Sequence, residues 1–140
     1  MESIAVIFWS GTGNTATMAQ EVVAGTGGQA KLINVTDTNA DEAAAYDKLA
    51  LGCPSMGDEV LEEDEMEPFV TELEANVSGK NIGLFGSYGW GDGEWMRDWE
   101  ERMKSAGATL VNGEGLIIHE TPDEAGEAEC ESLGKQLASV

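Results

Sequence analysis

A short run of small polar residues follows the first apolar segment of the sequence and could bind a phosphate. Residues 10–15 (SGTGNT) run directly into a helical pattern and combine two glycines with four hydroxyl or amide side chains. A helix N-terminus offers free N–H groups and the positive end of a dipole, both of which attract anions. These neutral donors suit a terminal phosphomonoester. An ordinary capped helix start is the alternative interpretation.

Two better-known phosphate motifs fit this loop poorly. A nucleoside-triphosphatase loop needs a Lys before its final Ser or Thr, and this loop has none. Gly11, Gly13 and Ala16 match the dinucleotide pattern G-x-G-x-x-A, and Asp37 lies at a plausible distance for a ribose contact. That match is weak, because 140 residues leave little room for a sixth strand and a substrate region.

Two further loops place large side chains beside glycines. Residues 54–59 (PSMGDE) follow the third apolar segment and contain Met56, and residues 87–93 (SYGWGDG) follow the fourth and contain Trp90. A Trp between two glycines is rarely a core residue. A thioether and an indole facing each other make a slot for a flat ring. A phosphate site beside such a slot predicts a mononucleotide such as FMN.

Strands and helices alternate from end to end of the sequence. Apolar runs predict strands over residues 4–8, 30–35, 48–53 and 81–86, and a fifth strand over 108–111 and 116–119 that is interrupted at 112–115. Helical spacing predicts helices over 14–23, 65–76, 94–106 and 123–140, with a short one within 36–46. Glycines at 25, 27 and 28 are expected to end the first helix. The pattern predicts a three-layer α/β fold with a parallel sheet, whose ligands bind beyond the carboxyl ends of the strands.

Length and charge limit the possible functions. The chain of 140 residues predicts a single domain over residues 1–140. It has 27 acidic and 7 basic residues and a net charge of −20. That charge argues against a nucleic-acid partner and against an anionic membrane surface. No leader or membrane-spanning run is recognisable, so we expect a cytoplasmic protein.

Other residues that could do chemistry have simpler interpretations. Cys53 and Cys130 are not spaced as a metal or redox pair and are expected to be buried free thiols. The seven carboxylates within residues 58–67 lack the spacing of a calcium loop and are predicted to form a solvated acidic rim. His119, the only histidine, has no acid–nucleophile arrangement around it, so no catalytic role is predicted.

The motifs resemble those of the short-chain flavodoxins of anaerobic bacteria. The resemblance rests on residues 9–15 (WSGTGNT), 51–53 (LGC), 56–59 (MGDE) and 84–91 (LFGSYGWG), and it extends over the whole chain. It implies a doubly wound, five-stranded parallel sheet in the order 2-1-3-4-5. It also implies non-covalently bound FMN as the cofactor.

The resemblance implies a role for each loop. Donors of the first loop would bind the FMN phosphate, Met56 would pack on the inner face of the isoalloxazine, and Trp90 on its outer face. Glu59 would accept from the ring N3–H, and amides near Gly89 and Gly91 would donate to the O2/N1 edge. The implied cofactor-binding residues are Ser10, Gly11, Thr12, Gly13, Asn14, Thr15, Pro54, Ser55, Met56, Gly57, Asp58, Glu59, Ser87, Tyr88, Gly89, Trp90 and Gly91.

Two further points follow from the resemblance. The Gly57–Asp58 peptide would turn over on one-electron reduction and present the Gly57 carbonyl to the new N5–H, which would stabilise the neutral semiquinone. The chain departs from the family pattern after the fifth strand, where His119 and Glu120 stand at the place expected to offer an Asn to the ribityl chain.

The function implied is one-electron transfer at low potential rather than enzyme catalysis. The protein would cycle mainly between semiquinone and hydroquinone as a monomer and substitute for ferredoxin. Its partners would be ferredoxin-dependent oxidoreductases and flavodoxin reductases, which would dock on the acidic rim. Two alternatives stay open: a small FMN-dependent quinone or nitro reductase, and a phospho-receiver domain with Asp58 as its acceptor.

Overall fold

The central strands consist mostly of apolar residues because helices cover both of their faces. The computed structural model describes residues 3–57 and 59–140. Three central strands, β1 (Ile4–Phe8), β3 (Lys48–Gly52) and β4 (Asn81–Tyr88), are buried along almost their whole length. The strand β2 (Ala30–Asn34) lies at one edge and is more exposed. Continuous apolar runs of this kind are typical of parallel strands buried on both faces.

The strand order is β2-β1-β3-β4-β5, as predicted. The short strand β5 (Thr109–Leu110) pairs in parallel with the beginning of β4, and β6 (Leu116–His119) pairs in parallel with its end. The predicted interruption of the fifth strand is therefore confirmed. In this order the chain leaves β1 towards β2 and returns to β3 on the other side, so a crevice opens between the carboxyl ends of β1 and β3.

Helices pack on both sides of the sheet and form two cores. The helices α1 (Asn14–Gly25) and α5 (Glu124–Ser139) share one apolar cluster with alternate strand residues such as Val6 and Phe85. On the other face lie α2 (Ala40–Ala44), α3 (Met66–Leu73) and α4 (Glu94–Ser105). Short 3₁₀ turns span Val35–Asp37 and Glu74–Asn76. The three layers that the alternation predicts are thus present.

The first helix continues through Gly25, two residues beyond its predicted end. A β-carbon on Gly25 would overlap the backbone carbonyl of Glu131 in α5, and one on Gly134 would overlap the Val22 carbonyl of α1. These two glycines allow the backbones of α1 and α5 to touch. Gly25 is therefore a packing residue, and the positive φ of 71° at Gly27 lies beyond the helix end.

Two predictions about single residues are borne out. Cys53 and Cys130 are buried free thiols, and burial raises the pKa of each to about 12.

The fourth strand runs two residues further than predicted, so that Ser87 and Tyr88 belong to β4. Within residues 3–57 and 59–140, no helix is both long and apolar enough to cross a membrane.

Candidate cofactor site

The three polar loops meet at the carboxyl ends of β1, β3 and β4. They enclose a cavity of about 320 Å³, which lies within the range of roughly 300–1,000 Å³ usual for ligand pockets. None of the residues described around it is basic. The lining residues are Trp9, Gly11, Thr12, Asn14, Pro54, Ser55, Met56, Ser87, Tyr88, Gly89 and Glu120.

The N-terminus of α1 forms one end of this cavity. Asn14 and Thr15 are the first residues of the helix, so their N–H groups have no helical carbonyl to bond. Of the five α-helices described, only α1 begins without an acidic side chain in its first turn. In a chain of net charge −20, the positive end of this helix dipole thus has no carboxylate from its own first turn. It can therefore accept an external anion.

Ser10 holds the first loop in shape. Its Oγ accepts hydrogen bonds from the Gly13 N–H at 3.1 Å and the Ala16 N–H at 3.3 Å. Gly13 itself has a φ of 97°, in the left-handed region that favours glycine. The oxygen of Ser10 is thus occupied as an acceptor, whereas its O–H stays available as a donor.

Buried hydroxyls join the first loop to the other two. Thr15 is buried, and its Oγ1 lies 3.0 Å from the Oγ of Ser87, also buried, at the end of β4. The Ser87 carbonyl accepts from the Ser55 N–H at 3.0 Å. The Ser87 N–H also donates to the Thr15 Oγ1 at 3.4 Å, so three hydrogen bonds fix the relative positions of the three loops.

A tight turn presents Met56 to the cavity. Met56 and Val60 exchange two backbone hydrogen bonds of 2.9 Å, and between them Gly57 and Glu59 have φ values of 49° and 56°. The predicted movement of the Gly57–Asp58 peptide stays a prediction, because Asp58 lies outside the described residues. The positive φ at Gly57 agrees with a turn that needs glycine there.

Glu59 connects this turn to the third loop. Its side chain is buried, and Oε1 accepts from the N–H groups of Gly93 and Glu94, each at 3.1 Å. The carboxylate thereby caps α4, whose own N-cap, Gly93, has no side chain for the purpose. A β-carbon on Gly91 would overlap this carboxylate, and Gly91 has a φ of 87°. Only glycine fits there without a rearrangement.

Trp90 is the most exposed large apolar side chain of the three loops, at 62% of its maximum. Its backbone N–H has no acceptor among the described residues. Neighbouring Gly89 lines the cavity, and nothing lies within 4 Å of the place where its β-carbon would be. Gly89 with its open backbone therefore lines the cavity, whereas Trp90, the next residue, is not among the lining residues.

The prediction of a solvated acidic rim is wrong for two of its members. Glu59 and Glu62 are only 8% and 6% exposed. The Glu62 carboxylate accepts from the N–H groups of Asp64, Glu65 and Met66 at 2.7–2.9 Å and so caps α3. Free N–H groups at helix starts bind carboxylates strongly, and this explains why the side chains of Glu59 and Glu62 are buried. In the part of the chain that the structure describes, no group of acidic, His or Cys residues could hold a metal ion.

The structure adds residues to the predicted cofactor-binding set. Trp9 lines the cavity beside Gly11, and Glu120 lines it from the end of β6. Thr121 donates from Oγ1 to the Asn14 Oδ1 at 3.2 Å and so ties this segment to the first loop. Their position directly after strands was the available signal, because side chains there reach the same edge of the sheet.

Comparisons with known proteins agree with this geometry. The family model described as flavodoxin matches residues 6–134. The chain is 51% identical over 138 residues to a flavodoxin of Clostridium beijerinckii, covering 96% of this chain and 99% of the relative. It is 45% identical over 140 residues to a flavodoxin of Megasphaera elsdenii, covering 98% and 99%. The solution structure of the two-electron reduced Megasphaera elsdenii protein superposes with a TM-score of 0.87 at 44% identity, covering 98% of this chain and 99% of that one.

Proposed function

This chain belongs to the flavodoxin family, and from that membership and its cavity we infer that it transfers electrons through FMN held by the three loops. It is an electron-transfer protein rather than an enzyme. One observation supports the location of the FMN site above all others. A cavity of about 320 Å³ is lined both by the start of α1, whose first turn has no acidic side chain, and by Met56 of the turn after β3.

The residues around the cavity fit FMN by their chemistry. Free N–H groups at the start of α1, with the hydroxyls of Ser10, Thr12 and Thr15 and the amide of Asn14, would hold the phosphate. Ser55 and Ser87 stand beside them at the ends of the neighbouring strands. The absence of basic side chains among the lining residues leaves the binding of the phosphate to hydrogen bonds and the helix dipole.

The other two loops would hold the ring. Met56 would pack against one face and Trp90 against the other, and the Trp90 N–H would donate to the O2/N1 edge. Glu59 keeps Oε2 free of its two capping bonds, and that oxygen would accept from the ring N3–H. Bound FMN supplies the ability to carry electrons one at a time. Capping by Glu59 would then keep the turn and the third loop at a fixed distance across the ring.

Flavodoxins act together with redox partners, and the surface around Trp90 is our proposal for where partners dock here. Glu63 and Asp92 are exposed, and the net charge of −20 would attract basic patches on ferredoxin-dependent oxidoreductases and flavodoxin reductases.

As part of the same proposal, residues 1–140 form one FMN-binding domain that acts as a monomer. We place it in the cytoplasm, where free thiols such as Cys53 stay reduced.

This function is tested by titrating the flavin-free protein with FMN. We expect one equivalent of FMN to bind with quenching of flavin fluorescence, and riboflavin to bind far more weakly because it lacks the phosphate. Trp90→Ala should weaken FMN binding by about tenfold or more through lost stacking and burial. Val60→Ala, which changes another exposed apolar residue of the same region, should leave binding nearly unchanged. Absence of FMN binding would refute the proposal.

A further inference from the structure

His119, the only histidine of the chain, lies against the third loop. It is the last residue of β6, and its Nε2 is 3.2 Å from the carbonyl oxygen of Gly89. The ring meets Tyr88 edge-on at 5.2 Å between centroids. More than half of the side chain is exposed, so protons from solvent can reach it.

The geometry determines which ring nitrogen carries the hydrogen. A carbonyl oxygen only accepts, so Nε2 must donate to Gly89, and in the neutral ring Nδ1 is the bare nitrogen. Uptake of a proton at Nδ1 gives the imidazolium. A hydrogen bond from an ionised donor is roughly twice as strong as one from a neutral donor. The bond to Gly89 therefore strengthens when His119 is protonated.

The Gly89 carbonyl belongs to the same peptide as the Trp90 N–H. That N–H has no acceptor among the described residues, and under the proposed function it donates to the edge of FMN. Hydrogen bonds in a chain polarise one another, so a stronger bond at the carbonyl makes the N–H a better donor. The charge of His119 is thus transmitted to the ring through one peptide unit.

We propose that His119 couples proton uptake to electron uptake at the FMN site through the Gly89–Trp90 peptide. The inference rests on the proposed function. One electron from a reduced partner enters FMN, and one proton from solvent binds Nδ1 of His119; both leave when the protein reduces its next partner. The coupling arises because the added negative charge favours the imidazolium, and the imidazolium in turn favours the added electron.

Other charged and titratable groups lie near His119. Glu120 Oε1 lies 3.5 Å from Nε2. Ile117, two residues earlier in β6, packs with the core on the α4 side, so His119 shares that face of the sheet. The titratable groups recorded against the ring are Tyr88 of β4 and Glu120, and α4 on the same side has the charged residues Asp92, Glu94 and Arg97 at or near its first turn. Asp92 and Arg97 are paired with each other at 3.0 Å.

The test compares the FMN-loaded wild type with His119→Gln. Gln can keep an N–H donor towards Gly89 but cannot take up a proton between pH 5 and 8. Midpoint potentials for addition of the second electron are measured from pH 5.5 to 8.5, together with the NMR titration of His119 in the oxidised and fully reduced wild type. We expect the wild-type potential to rise more steeply than that of His119→Gln as the pH falls. We also expect reduction to raise the proton affinity of His119 several-fold.

Each outcome separates this inference from the function on which it rests. Failure of the wild type to take up FMN overturns both. Normal FMN uptake with the same pH dependence in wild type and His119→Gln overturns the role of His119 alone. If His119→Gln does not fold, an unchanged His119 titration in the two redox states of the wild type is equally decisive against the inference.

Discussion

Buried carboxylates in this protein cap helices instead of forming part of a charged surface. Glu59 caps α4 from a distant turn, and Glu62 caps α3 from the residues just before it. Each accepts from backbone N–H groups that have no carbonyl partner within their helix. A glutamate in an acidic stretch can therefore have a structural role that its neighbours do not share.

Glu62→Gln should destabilise the protein by about 1–3 kcal/mol, because the amide retains one acceptor oxygen and places an NH₂ group among backbone donors. Urea unfolding of the flavin-free protein at neutral pH measures this change. Glu63→Gln is the matched control, since Glu63 is exposed, and should change the free energy of unfolding by less than about 0.5 kcal/mol. Equal stability of the two variants would contradict the capping role.

At the scale of elements, close contact between helices determines residue choice. Gly25 in α1 and Gly134 in α5 stand where any β-carbon would overlap the opposite backbone. Glycine is a poor helix former, yet Gly134 lies inside α5 and Gly25 is the last residue of α1. Packing against the other helix outweighs that local cost.

Gly134→Ala should destabilise the protein by about 1–3 kcal/mol through overpacking, although alanine is the better helix former. Thermal or urea unfolding gives the change. Ala128→Gly, at an exposed position of the same helix, provides the comparison and should cost about 1 kcal/mol from helix propensity alone. A stabilised Gly134→Ala variant would show that α1 and α5 do not touch as described.

An ion-pair network connects α3 to α4. Arg102 binds both carboxylate oxygens of Glu67 at 2.8 Å and also contacts Glu74 at 2.8 Å. The hydrogen bonds from Arg102 lower the pKa of Glu67 below its ordinary value of 4.5. A carboxyl group whose pKa is lower in the folded than in the unfolded chain stabilises the fold at pH values above its pKa in the unfolded chain. That stabilisation is lost as the pH falls through its pKa in the folded chain.

Glu67→Gln should therefore cost up to about 1 kcal/mol at pH 7, a small value because the side chain is 39% exposed and screened by solvent. The cost should shrink as the pH falls below 4.5. Unfolding free energies of wild type and variant between pH 7 and 3 give the difference. Glu72→Gln, at an exposed position of α3, should show no such trend, and a pH-independent cost at Glu67 would exclude the network as its cause.

At the scale of the whole molecule, the charge of −20 acts over distances longer than any single contact. Such a charge attracts basic partners and accelerates their association. Dissolved salt weakens this attraction, and at 0.1 M charges more than about 10 Å apart are largely screened from each other. The exposed Trp90 adjoins the proposed FMN site, so attraction and electron transfer would occur on the same side of the molecule.

Electron transfer from the reduced protein to a basic cytochrome c should slow by about tenfold or more between 10 and 300 mM NaCl. Stopped-flow absorbance measures the rate. An uncharged small-molecule quinone is the control oxidant, and its reduction should hardly depend on salt. If the rate with the basic protein is equally insensitive to salt, long-range attraction plays no part in docking.

Local patterns alone predicted most of this molecule. Apolar runs and helical spacing determine the alternation of strands and helices, and polar loops after β1, β3 and β4 locate the candidate site, because parallel strands end at one edge of a sheet. The neutral donors at the start of α1 needed no tertiary information to be proposed as a phosphate site. These features depend on neighbours in the sequence, so the sequence by itself determined them.

Tertiary structure decided what depends on residues distant in the sequence. Whether Glu59 faces solvent depends on which N–H groups lack a partner when the helices form, and Glu59 finds its own 34 and 35 residues away. Gly25 stays helical because α5 lies against it, and His119 meets Gly89 because β6 pairs with the end of β4. Burial and hydrogen bonding depend on the whole packed chain, and no local pattern encodes them.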